Sequence, residues 1–191
     1  YLFGIFGFTQ FLDSRVDVTY QEDGIARFRL PGPMEKIKTY DNQNHGAAIF
    51  HQSTLNNFLI PDLSLVGGIR IDYENAGQIY NYDMMMSGTQ NDMDDFDQKL
   101  KFFEILPKAA LHYKVAEGIS TFATITKGYK TGGFNTTFER EEDESFLPEF
   151  SWNYEAGIKT ELWNQKLQFI LAAFYIDWRN QQIYQAVPSG Q

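Results

Sequence analysis

The side chains that could do chemistry in this sequence are few and scattered. The histidines are His45, His51 and His112, and they fall on two different predicted strands. Nucleophilic catalysis needs a nucleophile beside a base and a carboxylate, and no motif brings such a set together. Glu155 and Lys159 share one face of a predicted strand, where solvated or paired charges are the usual explanation. We therefore predict no catalytic site, no cofactor and no enzyme activity.

The segment Gly128–Asn135 (GYKTGGFN) is rich in glycine, as phosphate-binding loops are. A phosphate loop also needs a helix N-terminus directly after it, and Lys-Ser or Lys-Thr after the glycines. Neither follows here. A strand that gives way to a flexible loop explains these glycines better.

Two acidic segments, Asn91–Asp97 (NDMDDFD) and Glu139–Ser145 (EREEDES), carry carboxylates of the kind that bind Ca²⁺. The first lacks the glycine and the terminal glutamate of an EF-hand loop, so solvated acidic loops are favoured for both. Divalent ions that bridge these loops to lipopolysaccharide phosphates are a further option. Met84–Met86 could suggest a soft-metal site, but an apolar loop patch is favoured. We assign no metal ligand, and the sequence names no ligand-binding residue.

Composition excludes some classes of protein. The formal net charge of −9 and the sequence pI of about 4.8 argue against a nucleic-acid partner. The chain has no cysteine, so disulfides and thiolate metal sites are absent. Mean hydropathy is −0.39, and no run approaches the ~18 apolar residues of a transmembrane helix. Barrel strands escape that criterion, because only alternate residues are apolar.

Seven runs of strand-forming residues predict long β-strands. They are Tyr1–Thr9, Asn44–Asn56, Leu63–Tyr73, Lys101–Val115, Gly118–Lys130, Phe150–Leu162 and Leu167–Trp178. Most reach the ~9–11 residues that a tilted strand needs to cross a bilayer, whereas soluble strands usually have ~5–6. A closed barrel is one of only two ways to cross lipid with every backbone group hydrogen-bonded.

Short and long connections alternate strictly between these runs, which is typical of transmembrane barrels. The short turns are Asn57–Asp62, Ala116–Glu117 and Trp163–Lys166, and the long loops are Gln10–Gln43, Glu74–Leu100 and Thr131–Glu149. In the first loop, Asp23-Gly24 lies between VDVTY and IARFRL and predicts a hairpin above the membrane, with two further wall strands as the alternative. Pro107 lies inside one run, so that strand starts after it or contains a bulge. Any helix should be short and lie in a loop.

Alternation along the runs separates an apolar face from a charged face. The residues expected to point away from the barrel axis are Leu65, Ile69, Ile71, Trp152, Tyr154 and Ile158. Those expected to point into a wet lumen are Arg70, Asp72, Lys108, His112, Glu155 and Lys159. A soluble antiparallel sheet with one solvated face would show the same alternation, so strand length has to decide between the two.

Several of these strands resemble the barrel of TonB-dependent receptors. In the first strand pair the matching residues are Gly68, Arg70, Asp72 and Tyr73. In the second pair they are Pro107, Lys108, Tyr113, Gly128, Tyr129, Gly132, Gly133, Phe134 and Asn135. In the third they are Glu149, Tyr154, Glu155, Gly157, Lys159, Phe174, Trp178, Gln182 and Ile183. The order and spacing of the matches carry the resemblance.

The resemblance implies an all-β fold, an antiparallel meander of about seven long strands that forms part of a transmembrane β-barrel with long extracellular loops. It implies the bacterial outer membrane and uptake of a scarce large solute, first of all a ferric siderophore, energised through TonB. The implied partners are membrane lipid and lipopolysaccharide, the remaining barrel strands and the plug of the parent receptor, TonB acting through that plug, and the ligand.

The family's barrel has about 22 strands and encloses a plug. Residues 1–191 show no plug and no C-terminal barrel strand, so we expect an internal part of the barrel. Tyr1–Thr9 and Leu167–Trp178 should then be the edges of an open sheet, because strands outside this sequence would complete the wall. The alternative is a soluble or surface all-β binding module, for example for glycans, which needs short strands and a buried second face.

Overall fold

The computed structural model describes residues 1–92, 95–135, 144–164 and 166–183, which are almost entirely β-strand. The strands are β1 Leu2–Tyr20, β2 Met34–Leu55, β3 Leu63–Met86, β4 Thr89–Asp92, β5 Phe96–Ala116, β6 Ile119–Lys130, β7 Gly133–Phe134, β8 Ser145–Phe146, β9 Glu149–Leu162 and β10 Leu167–Arg179. One helix, α1, spans Glu22–Phe28. In the part of the chain that the structure describes, no helix has the length and apolar character to cross a membrane.

The long strands form one antiparallel sheet in the order β1-β2-β3-β5-β6-β9-β10, with β4 beside β3. Each of the seven predicted strands is present and pairs with its neighbours in sequence, which confirms the meander. Among the described residues β1 and β10 are the two edges and do not pair with each other. The separate pair β7 and β8 is the second, two-stranded sheet.

Pairing around β9 is continuous. β6 and β9 stay in register from Lys130 opposite Glu149 to Ile119 opposite Thr160, and β9 and β10 from Leu162 opposite Leu167 to Phe150 opposite Arg179. Uninterrupted ladders satisfy the backbone N–H and C=O groups along the strand on both sides. Such pairing is what a strand needs when it lies in lipid.

The three short turns are tied to neighbouring strands. Asp62 of the first turn accepts a hydrogen bond from the Lys114 N–H near the end of β5, at 3.1 Å. Gly118, directly after the second turn, accepts one from the Glu161 N–H near the end of β9, at 2.7 Å. Gly118 has φ +71°, a conformation that glycine adopts without steric cost. These contacts confirm the predicted grouping of the short turns at one end of the strands.

The strands that flank the predicted long loops are longer than the sequence indicated. β3 has 24 residues, and most of the predicted loop Glu74–Leu100 lies in β3, β4 and β5. Alternation continues through this segment, with Gln78 and Tyr80 buried and Ile79 and Asn81 exposed. The loop prediction was wrong there because polar and tyrosine-rich alternation signals a strand as well as aliphatic alternation does.

The predicted Asp23-Gly24 hairpin was also wrong. VDVTY belongs to the end of β1, and the following residues form α1 instead of a returning strand. Glu22 and Asp23 occupy the first turn and Arg27 the last, an order that suits the helix dipole. Arg29 ends the helix with φ 53°. The expectation of a short helix inside a loop is confirmed.

Pro107 does not end its strand, since β5 runs through it. The regular register with β6 begins directly after the proline, at Lys108 opposite Thr126. Proline has no N–H to donate to the ladder, so pairing that starts at its neighbour avoids the missing donor. A register shift between Lys114 and Ala116 places the irregularity of β5 beside the short turn instead.

The chain divides into two compact units. The first comprises Tyr1–Gly7, Ala47–Tyr73 and Phe102–Gln191, and the second comprises Phe8–Gly46 and Glu74–Lys101. In the first unit the only buried apolar side chains among the described residues are Ala48, Val66 and Ala110. In the second they are Met34, Tyr40, Ala76 and Tyr80.

The first unit therefore has no conventional hydrophobic core in its described part, and large apolar side chains are exposed instead. They are dense on β10, where Ile170 is 61% and Phe174 is 75% exposed. Exposed apolar area of this extent marks a surface that meets lipid or protein. Together with strand lengths of 12 to 24 residues for the seven long strands, it contradicts the alternative of a soluble module with short strands and a buried second face.

The predicted division into two faces is confirmed around β6. Phe122 pairs with His112 of β5 on one side and with Gly157 of β9 on the other, so these residues share a face. The Lys159 ammonium lies 5.1 Å from the centre of the Phe122 ring, and His112 stacks on that ring at 6.4 Å. Glu155 lies on this charged face by alternation. That this charged face points toward the barrel axis stays a prediction.

The opposite face of β9 carries Trp152, Tyr154 and Ile158 by the same alternation. β10 departs from the pattern, because Ile170 and Phe174 lie opposite Lys159 and Glu155 and make the charged face apolar at this edge.

We expect Ile158→Arg to lower the free energy of unfolding by roughly 2–4 kcal/mol, because it places a charge on the predicted lipid face. Lys159→Ala should cost less than about 1 kcal/mol, the scale of one partly solvated cation–π contact. Refolding of the full receptor into bilayers measures both. Equal losses would contradict the assignment of the two faces.

Gly157 provides a second test. An added Cβ there would lie 2.7 Å from the Phe122 ring and 2.5 Å from the Leu171 carbonyl oxygen. Gly157→Ala should therefore lower the free energy of unfolding by about 1–3 kcal/mol, because the overlap forces the ring or the strand to move.

Gly67→Ala is the matched control, since an added Cβ at Gly67 meets no atom within 4 Å. This substitution should change the free energy of unfolding by no more than about 0.5 kcal/mol. Denaturant titration of both variants compares them. A Gly157→Ala variant as stable as Gly67→Ala would show that the Phe122 contact is not tight.

Candidate binding surfaces

The three histidines occupy separate environments. His45 Nδ1 lies 3.1 Å from the Thr9 hydroxyl in the second unit, and His51 Nε2 lies 2.8 Å from the Ser53 hydroxyl in the first. His112 stacks on a phenylalanine ring, as described above. Within the described ranges no three His, Asp or Glu side chains are grouped as a metal site.

The glycine-rich segment forms strands. β6 continues to Lys130, and Gly133–Phe134 then pairs with β8 as β7. A Cβ at Gly132 would collide with the Phe146 carbonyl oxygen and would press on the Phe102 ring. Close backbone packing therefore explains this glycine.

The acidic segments are described only in part. Residues 93–94 of Asn91–Asp97 and residues 139–143 of Glu139–Ser145 lie outside the described residues. Met84–Met86 was predicted to be a loop patch, but it is the end of β3 and pairs with β4. The methionines thus belong to a strand instead of a loop.

Arg70 and Asp72, two of the residues that carry the family resemblance, form an ion pair in the first unit. The Arg70 guanidinium donates from Nη2 at 2.6 Å and from Nε at 2.7 Å to the two Asp72 carboxylate oxygens. The same guanidinium lies 5.6 Å from the centre of the Phe6 ring. A two-pronged pair on one strand fixes both side chains and explains why the motif spaces them by two residues.

Glu149 and Gln182, which also carry the resemblance, meet beyond the end of β10. The Gln182 backbone N–H donates to the Glu149 carboxylate at 2.8 Å. Its side-chain amide donates to the carbonyl oxygens of Thr131 at 2.7 Å and Leu147 at 3.2 Å. Gln182 therefore joins two other chain segments, at Thr131 and at Leu147–Glu149, and Glu149 is 9% exposed.

The second unit contains a tyrosine cluster, formed by Tyr40, Tyr80, Tyr82 and Phe96. Tyr80 lies at its centre, with ring centroids 5.0 Å from Tyr40 and 5.0 Å from Phe96. Tyr40 and Tyr80 are each 5% exposed. Aromatic contacts of this kind contribute beyond their buried area, so the cluster holds β2, β3 and β5 together.

Burial raises the pKa of Tyr80 well above its ordinary value of 10.0, and the neighbouring Tyr40, Tyr82 and Asp95 act in the same direction. Burial also raises the pKa of Tyr40. Both residues lie beyond the predicted membrane spans Asn44–Asn56 and Leu63–Tyr73. The phenols of Tyr40 and Tyr80 therefore stay protonated at physiological pH.

Two lysines of β2 flank the cluster. The Lys38 ammonium lies 4.9 Å from the centre of the Tyr82 ring, and the Lys36 ammonium lies 5.7 Å from that of Tyr20. Burial, followed by the charge of Lys36, lowers the pKa of Lys38. In the described part of the chain neither lysine forms an ion pair, so this basic aromatic surface (Lys36, Lys38, Tyr20 and Tyr82) suits an anionic ligand with aromatic rings.

A polar groove of about 260 Å³ is the second candidate site in this unit. It crosses β2, β3 and β5 and is lined by Asp41, Gln43, His45, Asn75, Gly77, Gln78, Ile79, Asp97 and Lys99. A neighbouring cavity of about 270 Å³ is lined by Asp13, Ser14, Arg15, Thr39, Tyr40, Asp41 and Asn81. Of these residues the sequence had singled out His45 and Asp97, and it assigned neither to a site, because the groove forms only through strand register.

Comparison with known protein families identifies the class of protein. The sequence matches the TonB-dependent receptor-like β-barrel family over residues 1–191. The chain belongs to this family, and its fold is the antiparallel sheet of part of a transmembrane β-barrel.

Two solved structures share the fold. The ferric yersiniabactin uptake receptor of Yersinia pestis is 18% identical, with a TM-score of 0.62, and the match covers 95% of this chain and 26% of that one. The ferric-catecholate import receptor of E. coli is 13% identical, with a TM-score of 0.56, and the match covers 99% and 32%. The chain thus spans about a quarter to a third of their length.

Tyr80 makes stability depend on alkaline pH. Because its pKa is raised above 10.0, the unfolded chain loses this proton at a lower pH than the folded protein does. The stabilisation is complete below pH 10 and decreases as pH rises through the folded pKa. Tyr80→Phe removes this linkage, so its free energy of unfolding should fall less steeply above pH 10 than that of the wild type.

Denaturant unfolding of the full receptor in detergent, repeated across alkaline pH, measures the two slopes. Tyr113→Phe is the control, because Tyr113 is exposed on β5. Parallel slopes for Tyr80→Phe and the wild type would contradict the linkage.

Proposed function

We propose that this chain forms part of the wall of an outer-membrane receptor that takes up a scarce large solute, with a ferric siderophore as the first candidate. The family match over residues 1–191 carries the proposal. Its support is that two proteins of the same fold are named as importers of ferric yersiniabactin and of ferric catecholates. Energy would come from TonB, acting through the plug of the parent receptor.

The edges of the sheet agree with a role as part of a wall. β1 and β10 are edge strands, and an unpaired edge in lipid costs several kcal/mol for each unsatisfied group. We propose that further strands of the parent receptor pair with these edges, and that membrane lipid and lipopolysaccharide surround the outer surface. The site of action would be the bacterial outer membrane.

The basic aromatic surface supports an anionic ligand. Lys36 and Lys38 are like charges on one strand, two residues apart, and Lys36 lowers the pKa of Lys38. A bound anion would relieve this repulsion, and the Tyr20 and Tyr82 rings would offer stacking surfaces. Ferric catecholate complexes combine negative charge with aromatic rings, so this class of siderophore fits the surface best.

Uptake of radioactive iron tests the proposal. The full-length receptor is expressed in an iron-limited Gram-negative host without siderophore receptors of its own and is given a panel of ferric siderophores. We expect uptake several-fold above the empty vector for at least one complex, and loss of that uptake when TonB is inactivated. No uptake with receptor present in the outer membrane would contradict the ligand class, and uptake without TonB would contradict the energy source.

The double variant Lys36→Gln with Lys38→Gln tests the basic aromatic surface. It should raise the KM for an anionic complex several-fold with little change in maximal rate, because binding loses its charge attraction. Lys166→Gln, in an exposed turn, is the matched control. An unchanged KM in the double variant would place ligand recognition elsewhere.

A further inference from the structure

Gly77 is one of the residues that line the polar groove. A Cβ at Gly77 would lie 3.5 Å from the Gln43 carbonyl oxygen and 3.8 Å from Lys99 Cγ, both ordinary contacts. Gly77 therefore does not serve to relieve a steric clash, and its missing side chain leaves space between β2 and β5. Any side chain larger than alanine at this position would occupy that space.

One buried polar atom of the groove lacks a hydrogen-bond partner in the described chain. The Asn75 Oδ1 atom is buried and has no hydrogen-bond partner among the described residues. Oε1 of Gln78 is also buried without a partner there, but that side chain lies on the opposite face of β3, where its Nε2 donates to Asn42 Oδ1 at 2.7 Å. Nearly all buried polar atoms in proteins are paired, so the unpaired Asn75 amide oxygen at the groove points to a donor that comes from outside the described residues.

The charged groups of the groove are also unpaired within the described chain. Neither Asp41, Asp97 nor Lys99 forms an ion pair or a side-chain hydrogen bond there. His45, by contrast, is oriented by Thr9 at 3.1 Å and by an edge contact with Phe11 at 5.9 Å. The groove thus presents hydrogen-bond acceptors, the carboxylates of Asp41 and Asp97, together with a donor, the Lys99 ammonium.

These charges select among ligand classes. Two carboxylates oppose an anion, and the Lys99 ammonium opposes a metal cation. A hydroxyl group donates and accepts, so several hydroxyls on one ring can satisfy Asn75, the carboxylates and Lys99 together. Ile79, 40% exposed at the border, offers an apolar contact for ring carbons. A cavity of about 260 Å³ accommodates one such ring and is small for a larger ligand.

We propose that the polar groove binds the neutral polyhydroxylated ring of a saccharide. Two sources carry this chemistry: the core saccharide of lipopolysaccharide and free sugar. The inference is independent of the proposed transport function, since it rests on the groove of the second unit alone.

Binding is measured by saturation-transfer NMR on the full receptor in a zwitterionic detergent without a sugar headgroup. The probes are glucose and the core oligosaccharide released from lipopolysaccharide by mild acid. We expect saturable binding of at least one probe. Asn75→Leu should weaken it roughly tenfold, as loss of about one hydrogen bond does. Gly77→Val should weaken binding at least as much, because the valine side chain would occupy space in the groove.

Gly67→Val is the matched control, the same change on the same strand at a position where an added Cβ meets nothing within 4 Å. It should leave affinity unchanged, and thermal unfolding confirms that each variant is folded. Binding of the oligosaccharide alone supports the lipopolysaccharide source, binding of glucose alone supports free sugar, and binding of both supports the shared chemistry. Binding of neither probe, or equal affinity in the Gly77→Val and Gly67→Val variants, would overturn the proposal.

Discussion

Backbone hydrogen bonding is the constraint on which the rest of this structure depends. In hydrocarbon an unpaired N–H or C=O costs several kcal/mol, so a spanning strand must pair along its length on both sides. β9 does so through its ladders with β6 and β10. Once these ladders are fixed, register decides which side chains meet. The strand register alone brings His112, Phe122 and Lys159 together over Gly157. Attraction between these side chains adds to a contact that the backbone pairing has already set.

The sequence predicted the parts of the fold that follow from a period of two. All seven long strands, their order and the short turns could be predicted because apolar and polar residues alternate where one face is dry. The prediction failed where the signal was ambiguous. Asp23-Gly24 suits a hairpin turn as well as the first turn of a helix, and the acidic pair Glu22 and Asp23 favours the helix. Beyond Tyr73 the alternation became polar and tyrosine-rich, and the strand continued unrecognised.

The candidate sites could not be predicted in the same way, because they are products of register between distant strands. Tyr40 and Tyr80 are far apart in sequence, and nothing local indicates that their rings lie 5.0 Å apart. The polar groove likewise forms only when β2, β3 and β5 pair in the correct register, which brings Gly77 beside residues of the other two strands. The one sequence feature that could have indicated the aromatic cluster is the pair of tyrosines at alternate positions of β3, Tyr80 and Tyr82. By contrast, Arg70 and Asp72 could be recognised, since their contact is confined to one strand.

The Gln182 amide has a consequence for the chain between Thr131 and Leu147. By binding both of these carbonyl oxygens it acts as a non-covalent cross-link at the base of that connection. The entropy of closing a loop grows only with the logarithm of its length, about 0.6 kcal/mol for each doubling. With its two ends fixed, this connection can gain or lose residues during evolution at little thermodynamic cost, and the register of β6 and β9 below it is left intact.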